Sequence, residues 1–177
     1  MGRLARFGIA GLLGAIILGG IGAREKGEVA PPKAGGPQEA EVVGAVLDPR
    51  TQQPFVVLEG KRDKRRLSMV IGFAEFNGIM VPLQGVTPPR PLTHDLFLTL
   101  FGRHKVSLNR VVITDLRDNI YYATVYLTAA GSEMTLDSRP SDAIALAIRA
   151  KAPILVEDRV FDKSAVVPFQ TAPSPHF

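Results

Sequence analysis

The segment that most constrains this chain is residues 140–148, where a helix start runs directly into the apolar sequence AIALAI. Pro140 and Ser141 are typical of the first turn of a helix, and Ala152 and Pro153 end it. A helix with so few polar positions must be buried on most of its sides. The rest of the chain must therefore supply a layer large enough to cover it.

Runs rich in β-forming residues supply that layer. The strands are predicted at residues 42–47, 54–59, 67–71, 105–116, 120–129, 133–137 and 154–156. Two more helices are predicted between them, one over 73–84 that Gly78 and Pro82 shorten or kink, and one over 94–101 that Thr93 caps. The predicted fold class is α+β, with a few short helices packed on one mainly antiparallel sheet in a single domain.

An apolar, uncharged run at residues 7–23 follows the basic residues Arg3 and Arg6. This layout is typical of a signal peptide or of a retained membrane anchor, and the sequence leaves both open. As a helix the run would span roughly 26 Å, slightly less than a hydrocarbon core of about 30 Å. We expect an exported domain, or one anchored outside the cytoplasm through residues 7–23, with an anchored domain that faces the cytoplasm as the alternative.

The remaining boundaries follow from composition. Residues 24–41 are rich in Pro and Gly and contain almost nothing apolar, which predicts a disordered linker. Residues 168–177 read as a tail for the same reason. The globular domain is predicted at residues 42–167, after a signal peptide or anchor at residues 1–23.

The chain of 177 residues contains no cysteine, which excludes disulfides, thiolate metal sites and a cysteine nucleophile. Motifs for P-loop, dinucleotide-binding, zinc-protease and serine-hydrolase sites are also absent from the sequence. Any chemistry must therefore come from oxygen and nitrogen groups. The formal net charge of +4 permits a polyanionic partner without requiring one.

The basic run GKRDKRR at residues 60–66 lies between two predicted strands. It is a candidate loop for contacts to a phosphate backbone. A solvated hairpin tip has the same composition, and turn chemistry alone explains it. The candidate substrate-binding residues here are Lys61, Arg62, Lys64, Arg65 and Arg66.

Carboxylates gather where the chain turns. His94 and Asp95 begin a predicted helix, where the positive end of the helix dipole favours a neutral imidazole that can accept a proton. Asp115 and Asp118 flank a strand end and a turn, where carboxylates usually bond the backbone. The plain alternative is helix capping with an exposed His94 at the first position, and backbone hydrogen bonding in the turn at the second.

The strand-to-helix junction DSRPSD at residues 137–142 is the best local candidate. Helix amides and Arg139 are suited to bind a phosphate, while Asp137 or Asp142 can help hold a divalent metal ion. The alternative is a helix capped by Ser138 or Ser141, with Arg139 in a salt bridge. The candidate set is Asp137, Asp142, Arg139 and His94 for catalysis, Ser141 for substrate binding, and Asp95, Asp115, Asp118 and Glu75 for metal binding.

Several motifs occur in consistent order and carry a family resemblance. They are Ile71-Gly72 followed by Glu75, PPRPLTHDL at 88–96, VVITDLRD at 111–118, YYA at 121–123, and DSRPSDAIALAIR at 137–149 followed by API at 152–154. Over about residues 42–162 the chain resembles the bifunctional nuclease domain family. The resemblance implies an α+β domain, an oligomer, and RNase and DNase activity of the kind attributed to some members.

The leading hypothesis is a nuclease of low sequence specificity that hydrolyses RNA, DNA or both with the help of a divalent metal ion, Mg²⁺ or Mn²⁺. Aspartates would hold the metal and Arg139 would assist at the scissile phosphate. The alternative is a non-catalytic, homo-oligomeric binding or assembly module. Binding of nucleic acid without cleavage is a variant of that alternative.

Overall fold

A seven-stranded sheet organises residues 35–164, which are the part of the chain that this computed structural model describes. The strands are β1 (Gln38–Leu47), β2 (Pro54–Gly60), β3 (Arg66–Val70), β4 (Val106–Arg117), β5 (Ile120–Ala129), β6 (Ser132–Ser138) and β7 (Ile154–Val156). The helices are α1 (Phe73–Leu83), α2 (Thr93–Arg103), α3 (Pro140–Ala150) and α4 (Asp158–Lys163). The predicted leader at 1–23 and the predicted tail at 168–177 lie outside the described residues.

The strand order is β3-β2-β1-β7-β4-β5-β6, and every described pairing is antiparallel except that of β4 with β7. Alternating residues such as Val56, Val111 and Val125 line the face that packs on the helices. Ile144 of α3 lies fully buried against this face, as the apolar sequence of that helix predicts. The predicted α+β class, with short helices on a mainly antiparallel sheet, is confirmed.

The described sheet extends beyond the predicted strands at its N-terminal end. Strand β1 begins at Gln38, inside the predicted linker, because Gln38 and Ala40 pair with Val156 and Ile154 of β7. This pairing partner lies more than a hundred residues away in the chain. Helix α4 has no counterpart among the predicted elements.

Helix α1 continues through Pro82, although a proline removes one backbone donor from the helix. The carbonyl that loses this donor is that of Gly78, four residues earlier. The side chain of Arg149 donates a hydrogen bond to this same carbonyl oxygen. A neighbouring helix therefore satisfies the backbone group that the proline leaves open.

Two predicted helix caps are not the residues that cap in the structure. Thr93 is the first residue of α2, and the carboxylate of Asp95 accepts the backbone N–H of Leu92 at 2.8 Å. At the start of α3 the boundary residue is Arg139, and neither Ser138 nor Ser141 provides a side-chain cap.

The sheet is strongly curved. The Tyr121 hydroxyl at the start of β5 donates to the carbonyl oxygen of Ser68 in β3 at 3.2 Å. These strands are five positions apart in the sheet order, which in a flat sheet would separate them by about 24 Å. The β4–β5 turn therefore bends over to β3, and an open space forms beneath it. Among residues 35–164, no helix is long and apolar enough to span a membrane.

Candidate active site

An open cleft of about 310 Å³ lies where the end of β3, the β4–β5 turn and the start of α3 meet. Glu75 of α1, Tyr121 of β5, and Arg139 and Ser141 at the start of α3 line it. The sharp junction between β6 and α3 places Arg139 here, because the residue precedes the helix with extended backbone. The cleft therefore combines groups from three segments that are distant in sequence.

Arg139 is the central charge of the cleft. Its guanidinium contacts Glu75 at 2.8 Å and binds Asp142 through two hydrogen bonds of 2.7 and 3.1 Å. These contacts, first that with Asp142, raise the pKa of Arg139, so the side chain is permanently cationic. The side chain nevertheless remains 65% exposed, which leaves part of the guanidinium available to a ligand.

Asp142 joins Arg139 to His94. Its Oδ1 lies 3.3 Å from Nε2 of His94, whose side chain is only 12% exposed. Burial alone would raise the pKa of Asp142, but hydrogen bonds from Arg139 and His94 outweigh it and lower the pKa. Asp142 is therefore an ionised carboxylate at neutral pH, held between a fixed cation and an imidazole.

A glycine makes room for His94. A Cβ atom on Gly78 of α1 would lie 2.9 Å from Cε1 of the His94 ring, closer than side chains pack. The ring is therefore packed on the backbone of α1, with its Nε2 at Asp142. We define the cleft cluster as Glu75, Arg139, Asp142 and His94.

A buried arginine supports this arrangement from behind. Arg149 is 7% exposed and donates to Asp95 at 2.7 Å, to the Ala145 carbonyl at 3.0 Å and to the Gly78 carbonyl. It thereby ties α1, α2 and α3 together next to His94. Sequence reasoning missed this residue, although a lone charge at the end of an apolar helix was a usable signal.

The structure thus brings together five of the residues predicted from sequence: Glu75, His94, Arg139, Ser141 and Asp142. Asp95 binds Arg149 instead. Burial is the largest single influence on the pKa of Asp95 and raises it, but the hydrogen bonds from the Leu92 amide and from Arg149 together outweigh burial and lower the pKa. Asp95 caps α2 and binds Arg149, and it does not line the cleft.

The other predicted carboxylates lie elsewhere. Asp115 pairs with Lys163 at 2.7 Å, and this contact lowers its pKa. Asp118 lies in the β4–β5 turn with a left-handed φ of 49°. Asp137 pairs in register with Thr124, whose neighbours Ala123 and Val125 face the core, so Asp137 lies on the opposite face of the sheet.

Among the described residues, no group of three or more His, Asp or Glu side chains is arranged to hold a metal ion. In the cleft, two carboxylates, those of Glu75 and Asp142, contact the same Arg139 guanidinium. Mg²⁺ in phosphoryl-transfer sites needs only one or two protein carboxylates, since substrate phosphates and water complete its shell. The donor chemistry of this pair therefore fits such an ion, and the metal role of the other predicted carboxylates stays a prediction.

The predicted phosphate-binding loop forms a second charged cluster, in which every cation has a carboxylate partner. We define the hairpin cluster as the β2–β3 tip, residues 60–66, with the carboxylates that bind it. Its ion pairs are Lys61–Glu39, Arg62–Asp158, Lys64–Glu59, Arg65–Asp63, Arg65–Asp158, Arg65–Asp162 and Arg66–Glu59.

Arg65 is the most enclosed cation of the hairpin cluster. Its side chain is 26% exposed and its guanidinium lies 4.9 Å from the centre of the Phe161 ring. Gln38, which is 4% exposed, donates to Asp63 at 3.0 Å and to Asp158 at 3.3 Å. A phosphate would have to displace these contacts, and the substrate-binding role of the loop stays a prediction.

Comparison with known proteins identifies a family and several relatives. The family model for the bifunctional nuclease domain matches residues 56–168, a range that contains the whole cleft cluster. An uncharacterized protein of Mycobacterium tuberculosis is 36% identical over 129 residues, which cover 73% of this chain and 77% of that protein.

Plant proteins are also similar. Bifunctional nuclease 1 of Oryza sativa subsp. japonica and bifunctional nuclease of Oryza minuta are each 31% identical over 99 residues. The match covers 54% of this chain and 30% of each plant protein. The plant relatives are therefore similar to this chain over a minor part of their own length.

Proposed function

Because this chain belongs to the bifunctional nuclease domain family, we propose that it hydrolyses phosphodiester bonds of RNA, DNA or both in the cleft at the start of α3. The single observation that carries the proposal is the position of Arg139. It is a permanent cation, it lines the cleft, and 65% of its side chain is exposed despite two carboxylate partners.

The proposed role of Arg139 is to bind the phosphate and to stabilise the charge that develops on it. A planar guanidinium binds phosphate oxygens through paired hydrogen bonds. Ser141 lines the same cleft, and its hydroxyl can donate to a phosphate oxygen as well. Low sequence specificity follows, since these groups contact the backbone of a nucleic acid and not its base edges.

Glu75 is the carboxylate that lines the cleft, and its proposed role is to hold the metal ion that would activate the attacking water. Asp142 is the proposed positioning residue, because it holds Arg139 through two hydrogen bonds and is itself held by His94. His94 acts through Asp142 in this proposal and does not line the cleft.

Assistance by a divalent metal ion is part of the proposal. Glu75 and Asp142 are the residues that would hold Mg²⁺ or Mn²⁺ together with the substrate phosphate. The ion would lower the pKa of bound water and screen the phosphate charge.

The test is cleavage of labelled single-stranded RNA and DNA by the full-length chain in Mg²⁺, in Mn²⁺ and in EDTA. We expect cleavage with metal ion and none with EDTA. Asp142→Asn should lower the rate by at least about tenfold, because Arg139 loses one of its two ionic partners and with it part of its fixed position.

Asp137→Asn is the matched comparison, since Asp137 is the other candidate aspartate of the same junction but lies on the opposite sheet face. We expect it to keep the activity. Absence of metal-dependent cleavage in the unmodified chain would refute the proposal. Equal loss in both variants would refute the cleft as its location.

A non-catalytic, self-associating module is the second candidate, and helix α2 favours it. Leu96, Phe97 and Leu100 are each at least half exposed, and α2 contains no buried residue. A helix that is apolar on its outer side as well is usually covered. Light scattering would show a mass above that of one chain, and Leu96→Ser with Leu100→Ser would reduce it.

A further inference from the structure

The rim of the cleft carries more exposed apolar surface than a site for phosphate alone requires. Val70 at the end of β3 is 68% exposed, and Ile120 at the start of β5 is 58% exposed. Both line the cleft, on the same opening as Arg139. Single exposed apolar side chains are common, but two of the most exposed ones in the described chain meet here.

An aromatic ring lies beside them. Tyr121 lines the cleft, and its hydroxyl is fixed by the carbonyl of Ser68 at 3.2 Å. The ring is therefore held in place before any ligand binds, which reduces the entropy lost on binding. Fixed aromatic and apolar side chains are the surfaces on which unpaired bases stack.

The size of the cleft limits what can enter. A volume of about 310 Å³ is at the lower end of ligand sites and suits one nucleotide-sized group. In a duplex the flat faces of the bases are hidden by stacking, so a duplex offers this rim only its charged backbone. An unpaired base offers a flat, weakly polar face together with a phosphate.

We propose that the cleft binds single-stranded nucleic acid, with an unpaired base packed on Val70, Ile120 and Tyr121 while Arg139 contacts the adjacent phosphate. The proposal rests on the proposed function in taking nucleic acid as the ligand, and it adds the strandedness of the substrate. Charge complementarity supports it, since the exposed cation of the cleft stands next to the apolar rim and matches a phosphate next to a base.

The test measures binding to the full-length chain in EDTA by fluorescence anisotropy. Three probes share one length: a single-stranded DNA, an abasic strand that keeps the phosphates without bases, and a duplex. We expect the single strand to bind about tenfold more tightly than the abasic strand, within the range measured for one stacked base. The duplex should bind no better than the abasic strand.

The informative variant is Val70→Ser combined with Ile120→Ser. Both side chains are exposed, so we expect the unfolding temperature to change little. Affinity for the single strand should fall about tenfold, while affinity for the abasic strand stays within about twofold. The matched control is Val86→Ser, which changes a valine that is 52% exposed and outside the cleft lining, and it should change neither affinity.

Three results would overturn the inference: equal affinity of the unmodified chain for single and abasic strands, tighter binding of the duplex, or no effect of the double variant. A fall in molar mass of the double variant would assign the rim to a contact between copies and overturn it as well. Base-dependent binding without cleavage would refute the proposed function alone. Cleavage without base dependence would refute this inference alone.

Discussion

The cleft cluster and the hairpin cluster contain the same chemical groups but differ in how exposed their arginines are. In each, an arginine binds more than one carboxylate, with contacts of 2.6 to 2.9 Å. Arg65 of the hairpin cluster is 26% exposed and is covered by Phe161, whereas Arg139 of the cleft cluster is 65% exposed beside an open cleft. The two arginines therefore do not differ in having carboxylate partners, and what separates them is the exposure of Arg139 beside a cleft.

The number of cations in each cluster would favour the hairpin cluster as the phosphate-binding site. The hairpin cluster contains five cations within six residues, and the cleft cluster contains a single arginine. The five cations are nevertheless neutralised by carboxylates of β1, β2, α4 and the tip itself. Local net charge along a sequence therefore overstates the potential that a phosphate would meet at the folded surface.

The largest effects are expected when each of the two arginines is substituted in a separate variant. We expect Arg139→Gln to lower the cleavage rate by about 10²–10³, the usual cost of removing a group that stabilises developing charge. Its free energy of unfolding should stay within about 1 kcal/mol of the unmodified chain, since Arg139 itself is 65% exposed and Asp142 keeps its contact with His94. Cleavage assays and urea unfolding measure the two quantities.

Arg65→Gln is the matched exchange in the hairpin cluster. It should lower the free energy of unfolding by about 2 kcal/mol, because it leaves Asp63 and Asp158 without their enclosed partner. The cleavage rate per folded molecule should stay within about twofold. If Arg65→Gln abolished cleavage while Arg139→Gln preserved it, the roles given to the two clusters would be reversed.

A smaller effect on stability is expected at Gly78. This position tests whether the packing of His94 on α1 maintains the cleft cluster. Gly78→Ala places a Cβ atom 2.9 Å from the His94 ring, and that ring is enclosed and held by Asp142. We expect a loss of about 1–2 kcal/mol in unfolding free energy, since overpacking outweighs the gain in helix propensity. The cleavage rate should fall as well, because Asp142 loses its position.

Gly102→Ala is the control for that substitution. Gly102 also lies in a helix, but a Cβ atom there meets nothing within 4 Å. The helix propensity of alanine should then stabilise the chain by up to about 1 kcal/mol. Equal stabilisation by both substitutions would show that the contact between Gly78 and His94 carries no constraint.

Much of the fold could be predicted because its signals are local. Alternating strands, turn residues and the AIALAI helix identify seven strands and three helices near their observed positions. The start of β1 could not be predicted in this way, because Gln38 becomes a strand residue through its pairing with Val156. The short α4 likewise owes its place to contacts made by Val160 and Phe161 in the core.

The site was predictable only in part for the same reason. The junction at 137–142 identified Arg139, Ser141 and Asp142, since helix starts carry recognisable residues. Which carboxylates share a cleft depends on sheet curvature, which no local pattern encodes. Some partners of the basic tip are distant in sequence: Asp158, which binds Arg65, is 93 residues away, so the local sequence does not show that this cation is paired.

A pH-dependent effect, the most selective for the hairpin cluster, is expected at Asp63. Burial raises its pKa, but hydrogen bonds from the Arg65 side chain and backbone and from Gln38 outweigh burial and bring the pKa to about 2, from an ordinary value of 3.8. A lowered pKa in the folded state stabilises the fold above the unfolded value, near pH 4. This stabilisation is lost as the pH falls through about 2. Asp63→Asn should therefore cost about 1–2 kcal/mol at pH 7, after allowance for partial solvent exposure.

Urea unfolding of the unmodified chain and of Asp63→Asn at pH 7, pH 4 and pH 2 measures how the difference in unfolding free energy depends on pH. The difference between them should shrink as the pH approaches 2, because protonation makes Asp63 as neutral as the asparagine. Glu133→Gln is the control, since its pair with Arg110 is largely exposed and the substitution should change the unfolding free energy little at each of these pH values. A constant difference between pH 7 and pH 2 would mean that Asp63 stabilises the tip by its shape and neutral hydrogen bonds. The hairpin cluster would then not be the fixed ionic structure from which the exposed Arg139 differs.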